Sequence, residues 1–188
     1  MITVIVINGA GTSGKDTFID LFTEVVNEDS IGTPSPVCRF SSVDEVKSFA
    51  NIMGWDVVKD EKGRRFLSDI KDALTRYSDA PYRYMEQKVQ EFSSETENGF
   101  IFFHVREPSE IEKMVQGLHA TTLLIQRDEV QPSSFDNHAD KNVHSYPYDY
   151  CVRNNGTLAE LKEEARSFLK HLIYFAHLPT GGESKCQP

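Results

Sequence analysis

Residues 1–18, MITVIVINGAGTSGKDTF, decide the fold. ITVIVI, residues 2–7, is an unbroken apolar run rich in β-branched side chains and ended by Asn8-Gly9, the pattern of a strand buried on both faces. From about Gly14 to Glu28 the apolar residues Phe18, Leu21, Phe22 and Val25 recur at helical spacing, so strand, glycine turn and helix follow in direct succession. The turn has the spacing Gly9-x-x-x-x-Gly14-Lys15. Small residues there let consecutive backbone N–H groups turn inward, the next helix presents its positive end, and a lysine can reach the outer phosphates of a ligand. A plain glycine-rich turn is the alternative, but the strand before and the helix after favour phosphate. The glycines Gly9, Gly11 and Gly14 also fit a dinucleotide-binding spacing. Lys15 directly after the third glycine argues against it, as does the lack of a second strand ending in an acid about 20 residues on. One letter departs from the phosphate pattern: Asp16 stands where a Ser or Thr hydroxyl is usual.

Outward from this stretch, strands and helices alternate. A short strand is expected over residues 37–40, after Pro34 and Pro36, and Ser42 with Glu45 reads as a capping box for a helix that stops at Gly54. Helices follow over 64–77 and after Pro81, then a strand over 100–105 (FIFFHV). Pro108 opens another helix, TTLLIQ at 121–126 is a strand, 128–146 a polar loop, and 148–152 the last strand. Thr157 and Glu160 cap the final helix. The pattern predicts an α/β fold with a mainly parallel five-stranded sheet flanked by helices and right-handed crossovers. One domain is expected over residues 1–178, with a fraying tail at 179–188. A net charge of -9 argues against a nucleic-acid surface, no apolar run is long enough for a membrane span, and the protein is expected to be cytoplasmic, with Cys38, Cys151 and Cys186 as reduced thiols.

The letters GKDT resemble the loop of bacteriophage deoxynucleoside monophosphate kinases and their bacterial relatives within the P-loop kinase group. HVREPSEIEKM, residues 104–114, resembles the Asp-x-Arg segment after the third strand of those kinases, with Arg106 on the arginine and His104 where the family has an acid. YDYCVRNNGTLAELKEEA, residues 148–165, is similar to the Asn-x-Gly turn and capped helix closing dephospho-coenzyme A kinases and phage kinases. The matches cover the nucleotide-binding frame, whereas residues 41–98 and 128–146 match in placement only. The resemblance implies a P-loop three-layer sandwich using ATP and Mg²⁺. Gly9, Ala10, Gly11, Thr12, Ser13, Gly14, Lys15, Asp16 and Thr17 would hold the phosphates, and Asn155, Gly156 and Thr157 would border the adenine. It further implies catalytic roles for Lys15, Arg106 and Arg127, magnesium support from Asp16 and His104, a helical acceptor-binding insert at 41–98 and a lid at 128–146.

Residues 59–88 hold eight Lys or Arg against six acids, a basic island in an acidic chain. Lys71, Arg76 and Arg83 are therefore the acceptor-side candidates, each weighed against a solvated helix face with i to i+4 pairs. Asp136, Asn137, His138 and Asp140 could form a metal cluster, although a nucleotide lid is the better reading of their segment. The expected function is transfer of phosphate from Mg-ATP to a small phosphorylated metabolite, a nucleoside or deoxynucleoside monophosphate first. A nucleotide-binding switch without transfer, or a kinase of a non-nucleotide phosphorylated metabolite, stands as the alternative. No oligomeric state is read from the sequence.

Overall fold

The structure is a computed structural model and describes residues 1–29, 35–58, 60–128 and 143–175. Its first half runs β1 (Ile2–Asn8), α1 (Lys15–Asp29), β2 (Val37–Ser41), α2 (Asp44–Ile52), α3 (Glu61–Ser78) and α4 (Ala80–Glu95). The second half runs β3 (Gly99–His104), α5 (Pro108–Leu118), β4 (Thr121–Gln126), a 3₁₀ turn (Val143–Ser145), β5 (Tyr150–Arg153) and a final helix, α6 (Leu158–Phe175). All four strand pairings are parallel, in the order β2-β3-β1-β4-β5. β1 therefore lies at the centre, and the chain reverses direction across the sheet beside it.

The period-2 pleat of β1 explains the layers. Ile5 and Ile7 face one way and pack with Phe18 and Phe22 of α1 and Phe168 of α6; Val4 and Val6 face the other way, toward Met85 of α4 and Ile111 and Met114 of α5. Each fully buried side chain of this size stabilises the fold by about 1.5–3 kcal/mol. Helices on both sides of one parallel sheet make three layers, as the alternation predicts. α3 is different: Gly63 is its one buried residue, so it lies on α2 and α4 outside the main core.

Local signals hold in most places and fail in a few. The Thr157–Glu160 box forms, Glu160 Oε2 accepting from Thr157 N at 2.7 Å and Thr157 Oγ1 from Glu160 N at 3.3 Å. The Ser42–Glu45 box does not. α2 starts at Asp44, whose carboxylate instead turns back to accept from Ser41 N at 2.7 Å. α3 starts three residues earlier than its apolar pattern suggests because Asp60 Oδ1 accepts from Gly63 N at 2.7 Å. β5 starts late because Asp149 is engaged in side-chain bonding with Thr122 of β4. Cys38 is a free thiol, as expected, and Cys186 lies outside the described residues. Among the described residues no helix is long and apolar enough to cross a membrane. The expected tail and all but the ends of the lid-like segment lie outside the described residues.

Candidate active site

In an open parallel sheet, ligands bind at the carboxyl ends of the strands where the order reverses. β1 ends there with Asn8, a buried polar side chain. Its Oδ1 accepts from Gly9 N at 2.8 Å, and its Nδ2 donates to Tyr148 Oη at 2.7 Å and to the Arg106 carbonyl at 3.3 Å. One amide thus ties the start of the loop to the segment after β3 and the approach to β5.

The loop itself is fixed by close approach. Gly9 has φ +149°, and a Cβ there would lie 2.4 Å from the Ile125 carbonyl oxygen of β4. Gly14 has φ +94°, and Asn154 crosses from the end of β5 to donate to the Ser13 carbonyl at 2.9 Å. Lys15 opens α1 and folds its ammonium back over the turn, donating to the Gly9 and Ala10 carbonyls at 2.8 and 2.7 Å. Among the described residues the buried Ser13 hydroxyl has no hydrogen-bond partner. Inward-facing small residues, an ammonium held over them and the amino end of a 15-residue helix together fit a polyphosphate.

Asp16 and His104, expected to share a metal, do come together: His104 Nε2 is 3.4 Å from Asp16 Oδ1. The Asp16 side chain is 76% exposed and that of His104 20%. Burial pushes the imidazole below its ordinary pKa; Asp16 partly opposes this, while Lys15 and Arg39 add to it. Burial thus favours the neutral ring, which keeps a lone pair. Arg39 of β2 sits 3.9 Å from Asp16 but closer, at 2.8 Å, to Asp20. Mg²⁺ favours oxygen donors and is ordinarily held by one or two carboxylates together with substrate phosphates. Asp16 meets that need, and His104 offers nitrogen in place of a second oxygen. Among the described residues no group of three or more His, Cys, Asp or Glu could hold a metal without such help. The candidate cluster of Asp136, His138 and Asp140 lies outside the described residues.

The other expected residues are spread along the same edge. Arg106 follows β3 and is half-buried; Arg127 follows β4 and is exposed; Thr17 is exposed in the first turn of α1. Asn155 exchanges two hydrogen bonds with Asp128, at 2.9 and 2.6 Å, which joins the turn expected to border adenine to the residue just after Arg127. Gly156 and Thr157 are exposed beside them. The acceptor-side trio divides. Arg76 and Arg83 are exposed on α3 and α4, but Lys71 pairs with Glu110 of α5 at 2.8 Å, with only 15% and 12% of the two side chains exposed. Sequence reading missed Asn8, Arg39, Asn154 and Tyr148. A polar residue closing an apolar strand just before the glycine turn was the visible sign of Asn8; the other three act across long sequence separations and left no local sign.

The strand order, the central strand running into a glycine turn, and the lysine opening α1 define a three-layer α/β fold with a P-loop-like turn. Two solved structures with TM-scores above 0.5 share the fold. A shikimate kinase from Aquifex aeolicus vf5 superposes with a TM-score of 0.52 at 16% identity, over 92% of this chain and 99% of its own. A sugar kinase from Janibacter sp. HTCC2649 gives 0.51 at 11% identity over 90% and 95%, and a gluconokinase from Sinorhizobium meliloti 1021 gives 0.46 at 14% over 94% and 98%. No family model and no curated protein matches the sequence. At these identities the likeness is one of fold, and the narrower nucleoside monophosphate kinase group rests on the sequence resemblance alone.

Proposed function

We propose that this chain is an ATP-dependent phosphotransferase that moves the γ-phosphoryl group to a small metabolite bound between α2–α4 and the carboxyl edge of the sheet. The observation that carries the reading is the convergence of Lys15, Asp16, His104 and the Asn154-braced loop at the end of the central strand. In-line transfer asks little covalent chemistry of the protein; it needs the two substrates positioned and the charge on the moving group neutralised. Backbone N–H groups of the loop after Gly9 would hold the β-phosphate, and Lys15 would exchange its loop carbonyls for β- and γ-oxygens. Arg106, held near the loop through Asn8, would stabilise the transferring group, with Arg127 approaching from β4. A divalent cation, held by Asp16 and the nucleotide, would supply charge neutralisation between the phosphates.

A nucleoside or deoxynucleoside monophosphate is the first acceptor class, because the loop and the Arg106 segment resemble kinases of that group. A non-nucleotide acceptor is the second reading, favoured by a specific observation: Lys71, one of three cations expected to read an acceptor phosphate, is committed to Glu110. Full-length superposition on a shikimate kinase and a sugar kinase supports the same reading. A coupled assay of ADP release over nucleoside monophosphates, sugar phosphates, sugars and hydroxy acids decides between them. Release stimulated about tenfold or more by one class is the expected result. Nucleotide binding without stimulation by any acceptor would remove the kinase reading and leave a nucleotide-dependent switch.

A further inference from the structure

Two residues, one at the start of α1 and one at the end of β3, depart from the pattern of the resembled kinases, and they lie against each other. Asp16 replaces a hydroxyl, His104 stands where the resemblance expects an acid, and their polar atoms are 3.4 Å apart. Two donors about 2.1 Å from one octahedral ion, at right angles, lie about 3 Å from each other. The pair is thus spaced to grip adjacent positions of a single cation.

We propose that the nucleotide-borne cation of this chain binds between Asp16 Oδ1 and His104 Nε2, and that the imidazole selects a first-row divalent transition ion over Mg²⁺. The inference rests on the nucleotide-binding reading and adds to it the identity of the cation. Three features of the pair support it. His104 ends β3, with its backbone in register with Ile7 of β1 on one side and Ser41 of β2 on the other, so the ring rises from a strand paired on both sides. Arg39, the cation that could have neutralised Asp16, lies closer to Asp20 and leaves the Asp16 carboxylate largely open. Imidazole is a poor donor for Mg²⁺ and a good one for the later divalent ions, whose affinity for nitrogen sites rises from Mn²⁺ onward.

The alternative occupant of this geometry is a simple His–Asp hydrogen bond with no metal role, and the two make different predictions. The full-length chain is titrated with Mn²⁺ in the presence of a non-hydrolysable β,γ-methylene ATP analogue, followed by electron paramagnetic resonance, with Mg²⁺ as competitor. Pulsed measurements then look for ¹⁴N coupling to the bound Mn²⁺. The expected result is a nitrogen coupling in the wild type that His104→Asp abolishes, with the preference for Mn²⁺ over Mg²⁺ falling by about tenfold or more. His104→Gln keeps the side-chain size and is expected to lose the coupling as well, which guards against a folding artefact in the aspartate variant. Analogue and Mn²⁺ bound without nitrogen coupling, and an unchanged Mn²⁺/Mg²⁺ preference in both variants, would overturn the inference while leaving the nucleotide reading intact. Failure of the wild type to bind the analogue with either cation would overturn both.

Discussion

Gly9 and Gly11 stand two residues apart in the same loop, and only Gly9 is obliged to be glycine. At Gly9 the backbone lies at φ +149°, and a methyl group would press on the Ile125 carbonyl at 2.4 Å and on Ser13 Oγ at 2.7 Å. At Gly11 nothing lies within 4 Å of the place a Cβ would occupy. Gly9→Ala must therefore strain the backbone and push β4 away from β1, at a cost of about 2–4 kcal/mol. Gly11→Ala is expected to leave stability within about 0.5 kcal/mol of the wild type. Urea denaturation of the two variants checks this, and equal midpoints would show that the loop is not held as described. Gly11→Ala also serves as a probe of the loop: a folded variant with weakened nucleotide binding would mean that a ligand approaches the backbone closely there.

Among the elements, α3 and α5 are joined by the pairing of Lys71 with Glu110, which gives Lys71 a structural duty. A largely buried ion pair costs more to break than it contributes when intact, because the surviving partner keeps its desolvation penalty. Lys71→Met is thus expected to destabilise by about 2–4 kcal/mol, and Lys71→Met with Glu110→Leu to recover most of that loss. Acceptor KM in the double variant should stay near the wild-type value. If Lys71 met the acceptor, KM would rise in both variants while the unfolding midpoint barely moved. The pair also shows where sequence reading stops. Helical periodicity, Pro81 and Pro108 located α4 and α5, but the partner of Lys71 lies 39 positions away, and nothing near Lys71 announces it.

For the whole molecule, the sheet was legible because a strand buried on both faces must carry an apolar run, as ITVIVI, FIFFHV and the LLI of TTLLIQ do. The glycine turn was legible because its glycines are local. The joins that shape the site were not: Asn8 to Tyr148 spans 140 positions and Asn154 to Ser13 spans 141. Tyr148 matters to the entire fold, since through Asn8 it couples the approach to β5 with β1 and the end of β3. Burial pushes its phenol to about 12, against an ordinary value near 10, with the Asn8 bond acting in the opposite direction. A folded-state pKa raised above the unfolded value means that the native state favours the neutral phenol. The associated stability is complete below pH 10 and is lost as pH rises from there toward 12, about 2–3 kcal/mol in all. Tyr146, raised to about 12 by burial and by Glu112, loses its own contribution over the same window. Denaturant midpoints between pH 8 and 11.5 should therefore fall steeply above pH 10. Tyr148→Phe should start about 1 kcal/mol lower at pH 8, having lost the Asn8 bond, and then fall less across the window because the buried phenol is gone. Parallel curves for wild type and variant would mean that Tyr148 ionises as easily in the native state as in the unfolded chain, and that the coupling through Asn8 does not hold the approach to β5 closed around it.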